Sequence, residues 1–144
     1  MKKVIYLLLS VLLLTGCTNP AAVSIVEDMY TEALMEEDDA VATYFNPTYL
    51  VEHPIETLSD ELAVHAQNAG GIKLLNAVEL TRNLLNPDIV EKLDEAYSND
   101  WFYVALNADE NHIMTWIVIK TSTHYEIVDG ENMTVDIYND DVLK

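Results

Sequence analysis

The N-terminal segment constrains this chain more than any other stretch. Two lysines follow Met1, the residues from Val4 to Leu14 are apolar except for Ser10, and a Thr-Gly-Cys sequence ends the segment. A helix needs about 20 apolar residues to cross a bilayer, so this stretch is too short to span one. Its basic, apolar and small-residue parts are typical of a secretory signal. Cys17 is the only cysteine, so the exported part must fold without an internal disulfide and depend on its core.

The end of the segment, Leu14-Thr15-Gly16-Cys17, resembles the lipobox of bacterial lipoproteins. The resemblance implies cleavage between Gly16 and Cys17, a diacylglyceryl thioether on Cys17 and an acyl chain such as palmitate on the new amino group. An uncleaved membrane anchor and a buried free cysteine are the alternatives. We therefore expect a signal peptide over residues 1–16 and a lipidated N-terminus with a short tether over 17–19. The protein would lie on the extracytoplasmic face of the cell membrane.

The exported part is long enough for one domain and strongly acidic. Removing 16 of the 144 residues leaves 128, enough to bury a core. All 25 Asp and Glu residues but only five of the seven Lys and Arg residues remain, which gives a formal charge of −20. This charge argues against nucleic-acid binding and against a surface that lies on anionic lipid. It leaves two interpretations: simple solubility, or a cationic partner such as a basic protein, a peptide or a divalent ion.

Helical periodicity dominates the first half of the exported part. Helices are predicted over residues 20–37, 40–45 and 57–70, the last between a Thr57 cap and the Gly70-Gly71 pair. Residues 49–56 lack this periodicity and are predicted to be irregular. A further helix is predicted to begin at Asn86-Pro87, because asparagine caps helices well and proline fits their first turn.

Strand patterns dominate the second half. Strands are predicted over residues 72–81, 101–106, 113–121, 124–128 and 133–137, with Asp129-Gly130 ending the fourth and residues 139–144 forming a flexible tail. Helices followed by strands predict an α+β fold. We expect a single domain over residues 20–138, with N-terminal helices packed on one face of a curved antiparallel sheet.

Several short motifs resemble small bacterial lipoproteins with a cystatin-like or nuclear transport factor 2-like domain of unknown function. These motifs are residues 29–34 (Met-Tyr-Thr-Glu-Ala-Leu) leading to Tyr44-Phe45, 70–73 (Gly-Gly-Ile-Lys), 116–120 (Trp-Ile-Val-Ile-Lys) and 125–127 (Tyr-Glu-Ile). The resemblance implies a long helix cradled by a curved sheet that sometimes encloses a pocket, and it implies no activity. The chain departs from the pattern at Tyr125, where tryptophan is expected, and in the helix that begins at Asn86.

Residues suited to catalysis are few. None of the four histidines has another histidine three or four residues away and no His-Glu-x-x-His motif occurs, so no metal and no cofactor is expected. Enzymes in the wider superfamily use Asp, His and Tyr side chains in the cavity. The resemblance therefore implies a candidate pocket made of Tyr30, Tyr44, His53 and Asp100. No sequence pattern places these four in one cavity, and we expect a protein that is not an enzyme.

Aromatic residues cluster late in the chain. Packing in the core is one interpretation. The other is an exposed partner face formed by Trp101, Tyr103, Trp116 and Tyr125, since tryptophan and tyrosine anchor many interfaces.

The leading hypothesis is thus a non-enzymatic, lipid-anchored interaction domain for a basic envelope protein, a toxin or a phage component. The alternative is a small-molecule-binding or enzymatic domain with a pocket between the first helix and the sheet.

Overall fold

The computed structural model describes residues 20–144. The predicted signal peptide, the lipidation of Cys17 and the tether over residues 17–19 lie outside the described residues. Over residues 20–144 no helix combines the length and apolar character needed to cross a membrane.

The helices are α1 (Pro20–Leu34), α2 (Asp38–Ala42), α3 (Pro47–Glu52), α4 (Ile55–Ala69), α5 (Pro87–Tyr97) and α6 (Val135–Ile137), with a 3-10 turn at Ile72–Leu74 and a π-helical turn at Tyr138–Val142. The strands are β1 (Val78–Leu80), β2 (Trp101–Asn107), β3 (His112–Lys120) and β4 (Tyr125–Thr134).

The four strands form an antiparallel sheet in chain order, β1-β2-β3-β4. β3 pairs with β2 and β4, as its continuous apolar sequence predicts. A register shift between Ile117 and Val118 interrupts its ladder with β4, and such irregularities bend and twist a strand. Residues 44–46 pair with the outer side of β4 at Ile127, which covers part of that edge.

The N-terminal helices pack on one face of the sheet, which confirms the predicted α+β architecture. α1 and α4 pack against each other and against the face that carries Val104, Trp116 and Val118. Val26, Met29 and Tyr30 of α1 are fully buried there. We call α1–α4, residues 20–69, the helical layer.

A second apolar cluster covers the opposite face. Ile89 and Leu93 of α5 pack against Trp101, Tyr103 and Ile117. The chain end also belongs to this cluster, because Val142 is buried and its carbonyl accepts a hydrogen bond from the Asn86 backbone N–H. This docking corrects the expectation of a flexible tail over residues 139–144.

Three local predictions were wrong. Residues 49–56 are largely helical because Asn46-Pro47 starts α3, with the Asn46 side chain accepting from the Thr48 N–H. Only Val78–Leu80 of the strand predicted over residues 72–81 is extended. β4 continues through Asp129-Gly130 and absorbs part of the strand predicted over residues 133–137, the rest of which is helical.

Candidate functional site

The four residues proposed for a pocket do not gather around a cavity. Tyr30 is fully buried, and its hydroxyl accepts a hydrogen bond from Trp116 Nε1 at 3.3 Å. Burial raises the pKa of this hydroxyl. His53 is exposed and stacks on Tyr49 with ring centroids 4.1 Å apart. The Tyr44 carbonyl is occupied by the backbone N–H of Ile127.

Asp100 lies away from that cluster. Its side chain is exposed, and its carbonyl accepts from the Lys120 N–H at the end of β3. Lys120 is four residues along the strand from Trp116, a separation of about 13 Å. The space between α1 and the sheet is instead filled by packed side chains, Met29, Tyr30 and Trp116 among them. The predicted pocket at this place was therefore wrong.

The aromatic partner face was also wrong. Trp101, Tyr103 and Trp116 are buried, and Tyr125 is half-buried against Phe102. Trp116 lies opposite Val104 and shares its face of the sheet, whereas Trp101 and Tyr103 point to the other face. The sequence analysis missed that α5 and the chain end cover this second face.

Trp101 is held by a polar cluster that the sequence analysis did not find. Arg82 Nη1 donates to both carboxylate oxygens of Asp94, at 2.6 and 2.8 Å, and Trp101 Nε1 donates to Asp94 Oδ1 at 2.8 Å. The guanidinium carbon lies 4.4 Å from the centre of the Trp101 ring. The hydrogen bond from Trp101, followed by those from Arg82, lowers the pKa of Asp94. These contacts join α5 to the sheet, although Arg82 Nη2 is buried without a hydrogen-bond partner among the described residues.

Charge is distributed very unevenly over the fold. The helical layer contains 11 Asp and Glu residues and no Lys or Arg, whereas residues 70–144 contain all five basic residues of the exported part and 14 acidic ones. Among the described residues, the ion pairs join Arg82 to Asp94, His112 to Asp109 and His124 to Glu126. None of the 11 carboxylates of the helical layer takes part in them. Its negative charge is therefore not neutralised within the domain.

Two surface clefts lie on α4 within the helical layer. They meet at Asp60 and Val64, which line both clefts. One cleft, of about 700 Å³, continues to Leu34 and Glu36 at the end of α1. The other, of about 370 Å³, continues along α4 to Glu61 and His65. Val64 is 50% exposed, and Met35, which follows Leu34, is 64% exposed. Apolar side chains thus lie among unpaired carboxylates. We call these two joined clefts the α4 surface.

The α4 surface shows no metal-binding arrangement. Residues 20–144 contain no group of three or more His, Cys, Asp or Glu side chains placed to share a metal ion. His65 lines the smaller cleft, and burial lowers its pKa, which favours the neutral imidazole. The carboxylates of this surface are suited to contacts with positive charge.

Comparison with known proteins bears on the N-terminal segment alone. Residues 1–18 match the family model of the prokaryotic membrane lipoprotein lipid attachment site. This match supports the lipobox interpretation and indicates a lipid-anchored, membrane-associated lipoprotein. No curated protein and no solved structure matches the chain. The resemblance to cystatin-like and nuclear transport factor 2-like domains stays a prediction.

Proposed function

We propose that the protein is a non-enzymatic, lipid-anchored binding domain of the cell envelope that docks a cationic protein or peptide on its helical layer. One observation carries the proposal: the layer holds 11 carboxylates, no Lys or Arg and no ion pair among the described residues. Uncompensated charge of one sign attracts and orients an oppositely charged partner. A basic envelope protein, a toxin and a phage component all fit this chemistry.

The α4 surface supports a specific shape of partner. Its apolar residues Leu34, Ala63 and Val64 lie beside Glu36, Asp38 and Asp60. An amphipathic helix with one basic and one apolar side would place its apolar residues in the clefts and its lysines or arginines against the carboxylates. Exposed apolar side chains rimmed by polar groups are characteristic of protein interaction sites.

The anchor favours an outward-facing use of this surface. Three residues, Cys17 to Asn19, precede α1, which begins at Pro20. Even fully extended, three residues reach only about 10 Å. The domain would therefore stay close to a bilayer whose anionic headgroups repel it, with the repulsion acting over about 8 Å at physiological salt. Such repulsion would turn the α4 surface, which lies at the C-terminal end of α1 and away from the anchor, toward partners in the envelope.

The proposal is tested by reversing charge on the α4 surface. Glu36→Lys combined with Asp60→Lys should weaken binding of a Leu/Lys amphipathic helical peptide by about tenfold or more, because like charges then face each other. Binding would be measured by fluorescence anisotropy at low and high salt, and salt should weaken the wild-type complex.

The matched control reverses the same amount of charge elsewhere. Glu95→Lys combined with Glu110→Lys changes two exposed residues outside the helical layer and should have a much smaller effect. A peptide with the same composition but a scrambled order should bind more weakly, since it cannot form an apolar side. Equal losses in the two double variants would reject docking at the α4 surface and leave only a nonspecific effect of net charge.

A further inference from the structure

The second face of the sheet contains a crevice that the proposed function does not use. α5 covers this face, but none of its residues is buried, and Ile89 and Leu93 are only half-buried. Between α5 and β4 remains a crevice of about 160 Å³. A water molecule occupies about 30 Å³ of liquid, so the crevice has room for about five waters or a small organic molecule.

The floor of the crevice carries two hydroxyl groups in an apolar setting. Ile117, Tyr103 and Thr115 line it, and all three side chains are at least nine-tenths buried. Thr115 Oγ1 donates to the Glu131 carbonyl at 3.3 Å, a long bond, and the Thr115 hydroxyl also makes a side-chain hydrogen bond with Tyr103. Burial raises the pKa of the Tyr103 hydroxyl, and the hydrogen bond with Thr115 opposes this rise. Groups of this kind orient a ligand without charging the floor.

The two walls carry opposite charges. Lys92 lines the crevice from α5, and Asp129 and Glu131 line it from β4. Asp129 and Glu131 alternate along the strand, opposite Ile117 and Thr115, so both side chains point to this face. Gly130 lies between them, with Trp116 against it on the other face. Within residues 20–144, none of the three charged groups forms an ion pair within 4.0 Å.

We propose that this crevice binds a small zwitterion, a free α-amino acid. Its carboxylate meets the Lys92 ammonium, and its ammonium group meets Asp129 and Glu131. Its body lies on the floor formed by Ile117 and the two hydroxyl groups. One molecule of the size that the crevice admits then pairs with the charged groups of both walls, of which Asp129 already accepts a hydrogen bond from the Gly130 N–H at 2.8 Å.

Other ligand classes fit the same walls less well. A dicarboxylate would meet Lys92 but face the two carboxylates of β4 with like charge. A divalent cation would meet those carboxylates but leave the ammonium unmatched, and residues 20–144 contain no cluster of three acidic or histidine ligands. An apolar molecule would leave all three charges without partners. A zwitterion is the class that satisfies both sides.

The test uses the processed lipoprotein in detergent micelles and the common L-α-amino acids as probes. Saturation-transfer NMR should show at least one amino acid that binds saturably. Acetate and methylammonium, which are its two charged halves, should bind at least about tenfold more weakly when offered separately.

Substitutions locate the binding and decide the outcome. Lys92→Gln and Asp129→Asn change exposed residues, so the fold should persist, which circular dichroism would check. Each should weaken binding by about tenfold or more. Lys73→Gln, an exposed lysine outside the crevice, should leave binding unchanged. The proposal is overturned if no amino acid binds saturably, or if Lys73→Gln weakens binding as much as Lys92→Gln does.

Discussion

Replacing Trp116 with alanine is expected to lower the free energy of unfolding by about 3–5 kcal/mol. The indole is 1% exposed and contacts the rings of Phe45 and Tyr49 edge-on, with centroids 5.7 and 6.4 Å away. Its removal leaves a cavity in the apolar core between the helical layer and the sheet. It also removes the Nε1 group that donates a hydrogen bond to the buried Tyr30 hydroxyl. Urea denaturation followed by circular dichroism measures the change. Val64→Ala, at a half-exposed position, should change it by less than about 0.5 kcal/mol.

Gly130 provides a second, coupled test of the same packing. A Cβ atom at this position would lie 2.2 Å from Trp116 Cζ3 and 2.3 Å from Cε3, closer than real carbon contacts. Gly130→Ala should therefore destabilise the wild-type protein and cost much less in the Trp116→Ala background, where the ring is absent. If the alanine costs the same in both backgrounds, the indole does not lie against Gly130 and the description of the core is wrong.

Cys17→Ala is expected to abolish lipid attachment completely. The thiol of Cys17 is the only cysteine side chain able to form a thioether, and residues 1–18 match a lipoprotein lipid attachment site. The variant should accumulate as a full-length precursor, because no other residue can accept the lipid before cleavage. Intact-mass measurement of the membrane fraction distinguishes this precursor from a wild-type protein that lacks residues 1–16 and carries acyl chains.

Thr18→Ala is the control for this substitution. It changes the residue after the cleavage site and should be processed and acylated like the wild type. Each buried CH₂ of an acyl chain contributes about 0.8 kcal/mol to membrane affinity, so two or more chains hold the domain stably. Normal cleavage and normal membrane retention of Cys17→Ala would contradict the lipoprotein interpretation.

Local signals account for most of what the sequence could predict of the fold. The Asn86 side chain accepts from the Asp88 N–H at the start of α5, as its position before proline predicts. Gly70 ends α4 with φ +89°, a left-handed conformation that favours glycine. The same Asn-Pro signal at Asn46-Pro47 was not used, and α3 was missed for that reason.

Contacts between distant residues account for what the sequence analysis got wrong. Glycine usually weakens a strand, so Asp129-Gly130 was taken as an end. The structure keeps Gly130 within β4 because the Trp116 ring occupies the place of a side chain. In the same way, Val142 is buried in a cluster that includes Leu85 and Trp101, which lie 57 and 41 residues earlier in the chain. The residues next to Val142 in the sequence give no sign of this contact.

The candidate sites also differ in how far the sequence alone could predict them. The lack of Lys and Arg between Lys3 and Lys73 could be read from the sequence, although the net charge alone conceals how one-sided the distribution is. The α4 surface needed the structure, because its larger cleft forms where the end of α1 meets α4. The crevice beside α5 depends on strand register, which places Asp129 and Glu131 on one face opposite Thr115 and Ile117.

Photo-cross-linking in intact cells tests the central proposal most directly. A photoreactive amino acid would replace Val64 on the α4 surface or Leu84 outside the helical layer, two side chains that are 50% and 52% exposed. Docking of a cationic partner predicts a discrete cross-linked product from position 64 and no such product from position 84. The product from position 64 should be lost when Glu36→Lys and Asp60→Lys are added. The same products from both positions, or none from position 64, would contradict it.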